Sequence, residues 1–275
     1  MKRLLMLVFI GVLGIGLIVW NSNYQAQKVK TAQELLARYE QNPVNKSAVS
    51  RAIDAVSADK RRAQLTARFN KVLSVDAWTD AVEKEAAQMI SAANVTANAG
   101  KANMNRSTLS AEVAAARAES DYNAGISRKN KLKLAHNNIP DPGSQDIAGG
   151  EKTAYLFTAD GAKKAAHDLT QSFLDEKTGY DFLIKAGFNA EDIQYGAAKV
   201  TANGITYSFK GMNGTGFEKS ARGGVVGHYL MIANQNPAQR YNRFSVGIYY
   251  NVSTRQIFET VDFWLPNTQT VKTWQ

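Results

Sequence analysis

The sequence predicts an α+β protein, with helices in its first half and an antiparallel sheet in its last 125 residues. Three observations predict this fold class. An apolar run at 4–20 follows a basic start. Apolar residues then recur at spacings of three and four as far as residue 95, which is typical of amphipathic helices. After residue 200 the apolar spacing changes to two, which is typical of strands.

The apolar run 4–20 is predicted to be a single transmembrane signal-anchor, with residues 1–3 as a cytoplasmic tail held inside by two basic side chains. Seventeen helical residues span about 25 Å, close to the roughly 30 Å of a bilayer core. The residues assigned to the membrane anchor include Leu4, Phe9, Ile18 and Trp20. The alternative is a signal peptide cleaved near residue 26, although the run exceeds the usual length of roughly 7 to 15 apolar residues.

Composition agrees with a bacterial protein whose chain lies mostly outside the cell membrane, on the cell surface or secreted. The chain has no cysteine, which excludes disulfides, thiolate nucleophiles and cysteine metal ligands. Residues 21–150 carry 18 Lys and Arg against 13 Asp and Glu. If these residues lie outside a bacterial cell, the excess fits an anionic partner, either a cell-wall polymer or the membrane surface, and the location disfavours nucleic acid. The alternative is a solvated basic surface without a dedicated partner.

Residues 21–95 are predicted to form an extracytoplasmic helical hairpin or small bundle. Thr31 and Glu34 have the spacing of a capping box, and Pro43 is expected to end the first helix. Three further apolar stripes follow, centred on Val49, Ile53 and Val56, on Leu65, Phe69 and Val72, and on Trp78, Val82, Ala86 and Ile90. Because much of this core is alanine, it buries little area. The alternative is self-association of 47–95 as an imperfect coiled coil.

Residues 96–150 are rich in Asn, Ala, Ser and Lys, and the apolar periodicity fades there. Such a segment buries too little apolar surface to offset its ordering entropy, so we predict a basic linker with one Ala-rich helix near 109–118. The basic cluster at 128–133 has no interleaved aromatic residue, which disfavours binding to single-stranded nucleic acid.

Residues 151–275 are predicted to form an α+β domain. Helices are expected between 158 and 195, followed by strands at 205–209, 225–233, 244–252 and 256–265. The last two strands should form an antiparallel hairpin, and 225–233 is apolar throughout, as a strand buried on both faces would be. Together they predict four or five strands with helices packed on one face. This element order resembles the cystatin and NTF2-type folds, without any shared motif.

No HExxH helix, GxSxG elbow, Walker loop or paired-carboxylate spacing occurs, so no catalytic residue, metal or cofactor is predicted. The histidine at position 228 lies inside an apolar run, where it is either a core residue or part of a pocket. Two glycine-rich loops with basic residues flank that run, and two aromatic residues of the hairpin are expected to be exposed. The candidate ligand-binding residues are Lys210, Lys219, Arg222, His228, Tyr249 and Trp264.

Two functions from different classes fit these features. The first is a non-enzymatic, membrane-anchored surface protein that presents a binding module on a helical stalk to a wall polymer or a protein. The second is a single-span subunit of a conjugation or secretion assembly, with an NTF2-like domain and membrane-protein partners. A hydrolase centred on His228 is a third and more distant hypothesis. It predicts a pH-dependent activity that His228→Ala abolishes without unfolding the chain.

Overall fold

A computed structural model of the protein describes residues 2–107, 111–127, 129, 144–152, 155–195, 197–202, 205–210 and 226–266. The chain divides into two compact units. Unit 1 comprises Met1–Trp78 and Tyr155–Gly161, and unit 2 comprises Thr79–Ala154 and Ala162–Gln275. Together they make a mixed α and β protein with a four-stranded sheet.

Unit 1 is helical. Its elements are α1 (Lys2–Gln41), α2 (Lys46–Asp54), α3 (Asp59–Phe69) and the start of α4 (Val75–Ala97). The apolar run and the helix predicted from Thr31 belong to one continuous helix, since α1 has 40 residues. Residues 17–41 contain neither proline nor glycine, so nothing in that interval interrupts the backbone hydrogen bonds. The helix ends just before Pro43, as predicted.

The predicted transmembrane anchor is wrong. No helix of the described residues is both long enough and apolar enough to cross a bilayer. With seventeen residues, the apolar run at 4–20 lies at the lower limit of the roughly 17 to 25 residues of a membrane span. The helix then continues into charged residues, beginning with Lys28 and Lys30, so lengthening the segment makes it more polar. The single-pass transmembrane interpretation that rested on this anchor is therefore wrong as well. The residues assigned to the anchor, Leu4, Phe9, Ile18 and Trp20, lie on α1.

The core of unit 1 lies where the helical stripes predicted it. Its buried residues come from α1, α2, α3 and the turn before α3, and they are Ala32, Leu36, Tyr39, Val49, Ile53, Val56 and Leu65. The segment 155–161 joins this unit through Phe157. The Phe157 amide donates to the Glu40 carbonyl and its carbonyl accepts the Leu73 amide, both at 2.7 Å. Its ring packs 4.8 Å from the Trp78 indole.

Unit 2 contains the rest of α4 and the remaining elements. In chain order these are β1 (Asn105–Arg106), α5 (Ala111–Ser127), β2 (Ser144–Lys152), α6 (Ala159–Leu174), α7 (Lys177–Lys185), α8 (Ala190–Tyr195), β3 (Ala197–Ala202), β4 (Ile205–Lys210), α9 (Gly227–Ala233), β5 (Arg243–Asn251) and β6 (Gln256–Trp264). Helix α6 begins in unit 1. The main sheet has the order β1-β5-β6-β2, and β3 pairs with β4 in a separate hairpin.

The predicted hairpin of the last two strands is confirmed, with Phe244 opposite Phe263 and Tyr250 opposite Ile257. The sheet differs from the prediction because β1 is parallel to β5. Helices also cover both faces of β6 rather than one. Asp121 of α5 contacts Thr260 on one face, and Thr170 of α6 contacts Glu259 on the other. Every residue of β6 is consequently buried.

Two segments fold differently from their predicted structure. The apolar run 225–233, expected as a strand, contains helix α9 from Gly227. An uninterrupted apolar run has no period, so it does not distinguish a buried strand from a short buried helix. The interval 96–150, expected as a linker with one helix, supplies that helix as α5 and also contributes strands β1 and β2 to the main sheet. The basic cluster 128–133 lies almost wholly outside the described residues.

Candidate functional site

The candidate site is built around His228, which lies at the start of α9. Its Nδ1 is 2.6 Å from Oε1 of Glu176, in the turn between α6 and α7. The other carboxylate oxygen of Glu176 accepts the amides of His228 and Tyr229, at 2.8 and 3.2 Å. One carboxylate therefore orients the imidazole and also satisfies the first amides of α9, which have no partner within the helix.

Two buried carboxyls lie near this pair on the same face of the sheet. Asp146 of β2 interacts electrostatically with His228 and Glu176. Its Oδ2 is buried and has no hydrogen-bond partner among the described residues. Glu259 of β6 is fully buried, and the Thr170 hydroxyl lies 3.0 and 3.2 Å from its two oxygens. We call Asp146, Glu176, His228 and Glu259 the acid cluster.

Burial is the largest single influence on the pKa values of Asp146, Glu259 and His228. It raises the pKa of Asp146 well above its ordinary value, and the charge of His228 offsets this only in part. Burial raises the pKa of Glu259 to about 8, partly opposed by the Thr170 hydrogen bond. For His228, burial alone would lower the pKa, but the Glu176 hydrogen bond and the nearby carboxylates raise it overall. Asp146, Glu259 and His228 therefore hold protons more tightly than the same side chains do in water.

The His228 ring has a second nitrogen, Nε2, besides the Nδ1 that contacts Glu176. The side chain is 33% exposed, and its ring packs against Phe173 with centroids 4.9 Å apart. A carboxylate-oriented histidine with an accessible nitrogen can exchange a proton. In the described part of the chain, however, no serine or threonine hydroxyl bonds to His228, and no group of three or more acidic or histidine residues has the geometry of a metal site. Among the described residues, the site thus offers side chains that can bind and release a proton.

The other predicted site residues are not brought together with His228. Trp264 is fully buried rather than exposed, 4.7 Å from the Arg117 guanidinium, and its Nε1–H donates to Ser245 at 3.1 Å. Tyr249 is half-buried against Tyr122. Lys210 is the last residue of β4. Lys219 and Arg222, which were expected to form a basic rim, lie outside the described residues.

Sequence reasoning missed the partners of His228. Glu176 and Asp146 are far from it along the chain, and no local pattern links them to it. The position of Glu259 did carry a signal, because it shares one face of a predicted strand with the apolar residues Ile257 and Val261. A carboxyl at such a position must be buried, and a buried carboxyl needs a partner or a proton.

A second feature, the basic surface of unit 1, agrees with the predicted charge asymmetry. Unit 1 contains 12 Lys and Arg against 6 Asp and Glu, whereas unit 2 contains 21 against 18. Two basic residues of unit 1 are neutralised by carboxylates, Arg62 by Asp59 and Arg68 by Glu40. Five others on or next to α2 and α3 are exposed and form no ion pair among the described residues, namely Lys46, Arg51, Lys60, Arg61 and Lys71.

A groove between α1 and α2 lies on this unit. It encloses about 340 Å³ and is lined by Tyr24, Gln27, Lys28, Thr31, Ala52 and Ala55. The Lys28 ammonium stands 4.5 Å from the centre of the Tyr24 ring, and that ring is 46% exposed. The groove is therefore shallow and positively charged at one edge, with an aromatic surface open to a partner.

The fold and these two features define an α+β protein with a basic helical unit and a second unit that contains buried acids. Comparison of the chain with protein-family models, with curated proteins and with solved structures finds no match. Its function must therefore be argued from its own residues.

Proposed function

We propose that this chain is a non-enzymatic interaction protein whose unit 1 binds an anionic polymer through the basic side chains of α2 and α3. The supporting observation is the uneven charge, because two thirds of the net charge of +9 belongs to unit 1. Exposed cations that are not neutralised by neighbouring carboxylates attract a polyanion and release its counterions on binding.

The arrangement of these cations favours an extended partner rather than a small one. Lys46 and Arg51 lie on α2, and Lys60 and Arg61 lie on the first turn of α3. Their side chains are solvated and do not converge on an enclosed cavity, so each contributes a modest, salt-sensitive attraction. Many such contacts along a repeating polymer add up, whereas a small anion would meet only one or two. An anionic cell-wall polymer has this repeating charge.

Location outside the cell stays a prediction, and binding to a wall polymer requires it. We would test binding by co-sedimentation of the full-length chain with purified bacterial cell walls over a salt series, using walls before and after removal of their phosphate polymer. We expect binding that weakens with the logarithm of salt concentration and that disappears with the polymer.

A charge-matched pair of variants separates a defined surface from general basicity. Arg51→Gln/Lys60→Gln/Arg61→Gln removes three charges from unit 1. Lys163→Gln/Lys185→Gln/Arg240→Gln removes three from exposed positions of unit 2. The first variant should lose at least tenfold in affinity and the second should bind nearly as the original chain does. Equal losses, or binding that ignores salt, would contradict the proposal.

A further inference from the structure

We infer that the acid cluster is a proton-binding site that makes the folded state of unit 2 most stable at mildly acidic pH. This inference is independent of the proposed function, since it concerns the other unit. It rests first on geometry. Asp146 and Glu259 occupy the same face of the sheet, and both are cut off from water.

The hydrogen bonds of these two carboxyls are too few for two buried anions. An ionised carboxylate has about four acceptor positions. Oδ2 of Asp146 has no partner among the described residues, and the Thr170 hydroxyl is the one donor seen at Glu259 in the same part of the chain. A buried charge without such partners is strongly unfavourable, and taking up a proton removes that charge.

Among the described residues, the charged groups on the surrounding elements act in the same sense or are already paired. The turn after α6 contributes Glu176 and α9 contributes His228, which neutralise one another as an ion pair when the imidazole is protonated. The far face of the sheet carries Asp262, held by Arg117 and Gln145, and Asp121, held by Thr260. Arg117 is thus engaged by Asp262 and does not compensate the acid cluster.

Proton linkage fixes the direction of the effect. Asp146, Glu259 and His228 each have a pKa raised by folding, so the folded state binds protons that the unfolded state has released. For Glu259 the affected range runs from its ordinary pKa near 4.5 to about 8. The stabilisation by protonated His228 is complete below its unfolded pKa of about 6.5 and is lost as the pH rises through its folded value. All three therefore weaken unit 2 as the pH increases.

The test is hydrogen exchange of the full-length chain between pH 5.5 and 8, corrected for the intrinsic pH dependence of amide exchange. The strand β6 reports on unit 2 and the helix α3 reports on unit 1. Protection of β6 should fall with pH, by up to about tenfold per pH unit for each proton released, while protection of α3 changes little. Protection of β6 that is constant or increases with pH would overturn the inference.

Two variants assign the effect to the cluster. Glu259→Gln keeps the shape of the side chain and removes its titration, so β6 should gain protection at pH 8 and show a smaller pH slope. Glu119→Gln changes an exposed residue of α5 and should leave the slope unaltered. If Glu259→Gln does not fold, Asp146→Asn makes the same test. A foldable variant of either residue that keeps the full original slope would refute its role.

Discussion

Arg117 of α5 and Asp262 of β6 form an ion pair at 2.8 Å whose side chains are 0% and 2% exposed. The carboxylate also accepts the Gln145 side-chain amide at 3.0 Å. On the other side of Arg117, the Trp264 ring lies 4.7 Å away. Burial raises the pKa of Asp262 to about 6 even though Arg117 opposes the shift. The pair thus ties α5 to the sheet at a site where neither charge can be solvated.

Replacing Arg117 alone should destabilise unit 2 strongly. Arg117→Leu leaves Asp262 buried without its cation, which typically costs about 3 to 5 kcal/mol. The loss should be smaller at pH 5 than at pH 8, because at the lower pH the carboxyl can be protonated. Urea unfolding at the two pH values, followed by circular dichroism, measures it.

The double variant Arg117→Leu/Asp262→Leu is the control for this pair. Replacing both partners removes the unpaired charge, so most of the stability should return, and the pH dependence of the single variant should disappear. A double variant as unstable as Arg117→Leu would show that packing rather than charge accounts for the loss.

Unit 1 should depend strongly on Phe157, an aromatic residue from the distant segment 155–161. Phe157 is 1% exposed and packs on Trp78, whereas its neighbour Leu156 is 42% exposed. Phe157→Ala should cost about 3 to 5 kcal/mol, because it leaves a cavity beside the indole. Leu156→Ala should change stability by no more than about 0.5 kcal/mol. Thermal unfolding of the two variants makes the comparison, and similar losses would mean that Phe157 is not a core residue.

Local sequence patterns predicted those elements in which apolar residues recur at the period of the element. The stripe of Val49 and Ile53 identified α2, and the alternation of Phe244 and Val246 with polar or small residues identified β5. Such a period records the geometry of the element even where consecutive residues are buried, as in β5. The antiparallel pairing of β5 and β6 was predictable for the same reason, with the short connection at 252–255.

Elements that depend on tertiary contacts were not predictable in this way. Helix α9 is buried on nearly all sides and has no polar face to reveal its period. Strand β2 contains Gly149 and Gly150, which disfavour strands, and it forms because β6 pairs with it. The Glu176–His228 pair joins residues 52 positions apart, a relationship that no spacing rule detects.

Replacing Gly149 should destabilise the chain by more than backbone strain alone, because a side chain there would collide with the neighbouring strand. Its φ is +146°, and a Cβ there would lie 2.7 Å from the Ile257 carbonyl oxygen. Gly100 also has a positive φ, of +86°, but open space surrounds it. Gly100→Ala should therefore cost only the conformational penalty of about 1 kcal/mol. Gly149→Ala should cost clearly more, as measured by chemical unfolding, because it must also separate β2 from β6. Equal costs would show that the strand pair adjusts freely.

Asn94 of α4 should stabilise unit 2 out of proportion to its size. It is 1% exposed, and its side-chain amide donates to the Ile232 carbonyl of α9 at 2.9 Å and to Asn103 at 2.7 Å. Its own oxygen accepts the Asn103 amide at 3.0 Å. Asn94→Ala would leave these buried groups unsatisfied, at a cost of about 1 to 3 kcal/mol.

Thr96 is the matched control on the same helix, because the one bond of its exposed hydroxyl among the described residues is to the Ala92 carbonyl of α4. Thr96→Ala should be nearly neutral in urea unfolding. Asn94→Asp retains the acceptor for Asn103 but loses both donors, so its stability should fall to near that of Asn94→Ala. If Asn94→Asp were instead as stable as the original chain, the bond to Ile232 would contribute nothing, and the other contacts of α9 would be enough to hold it in place.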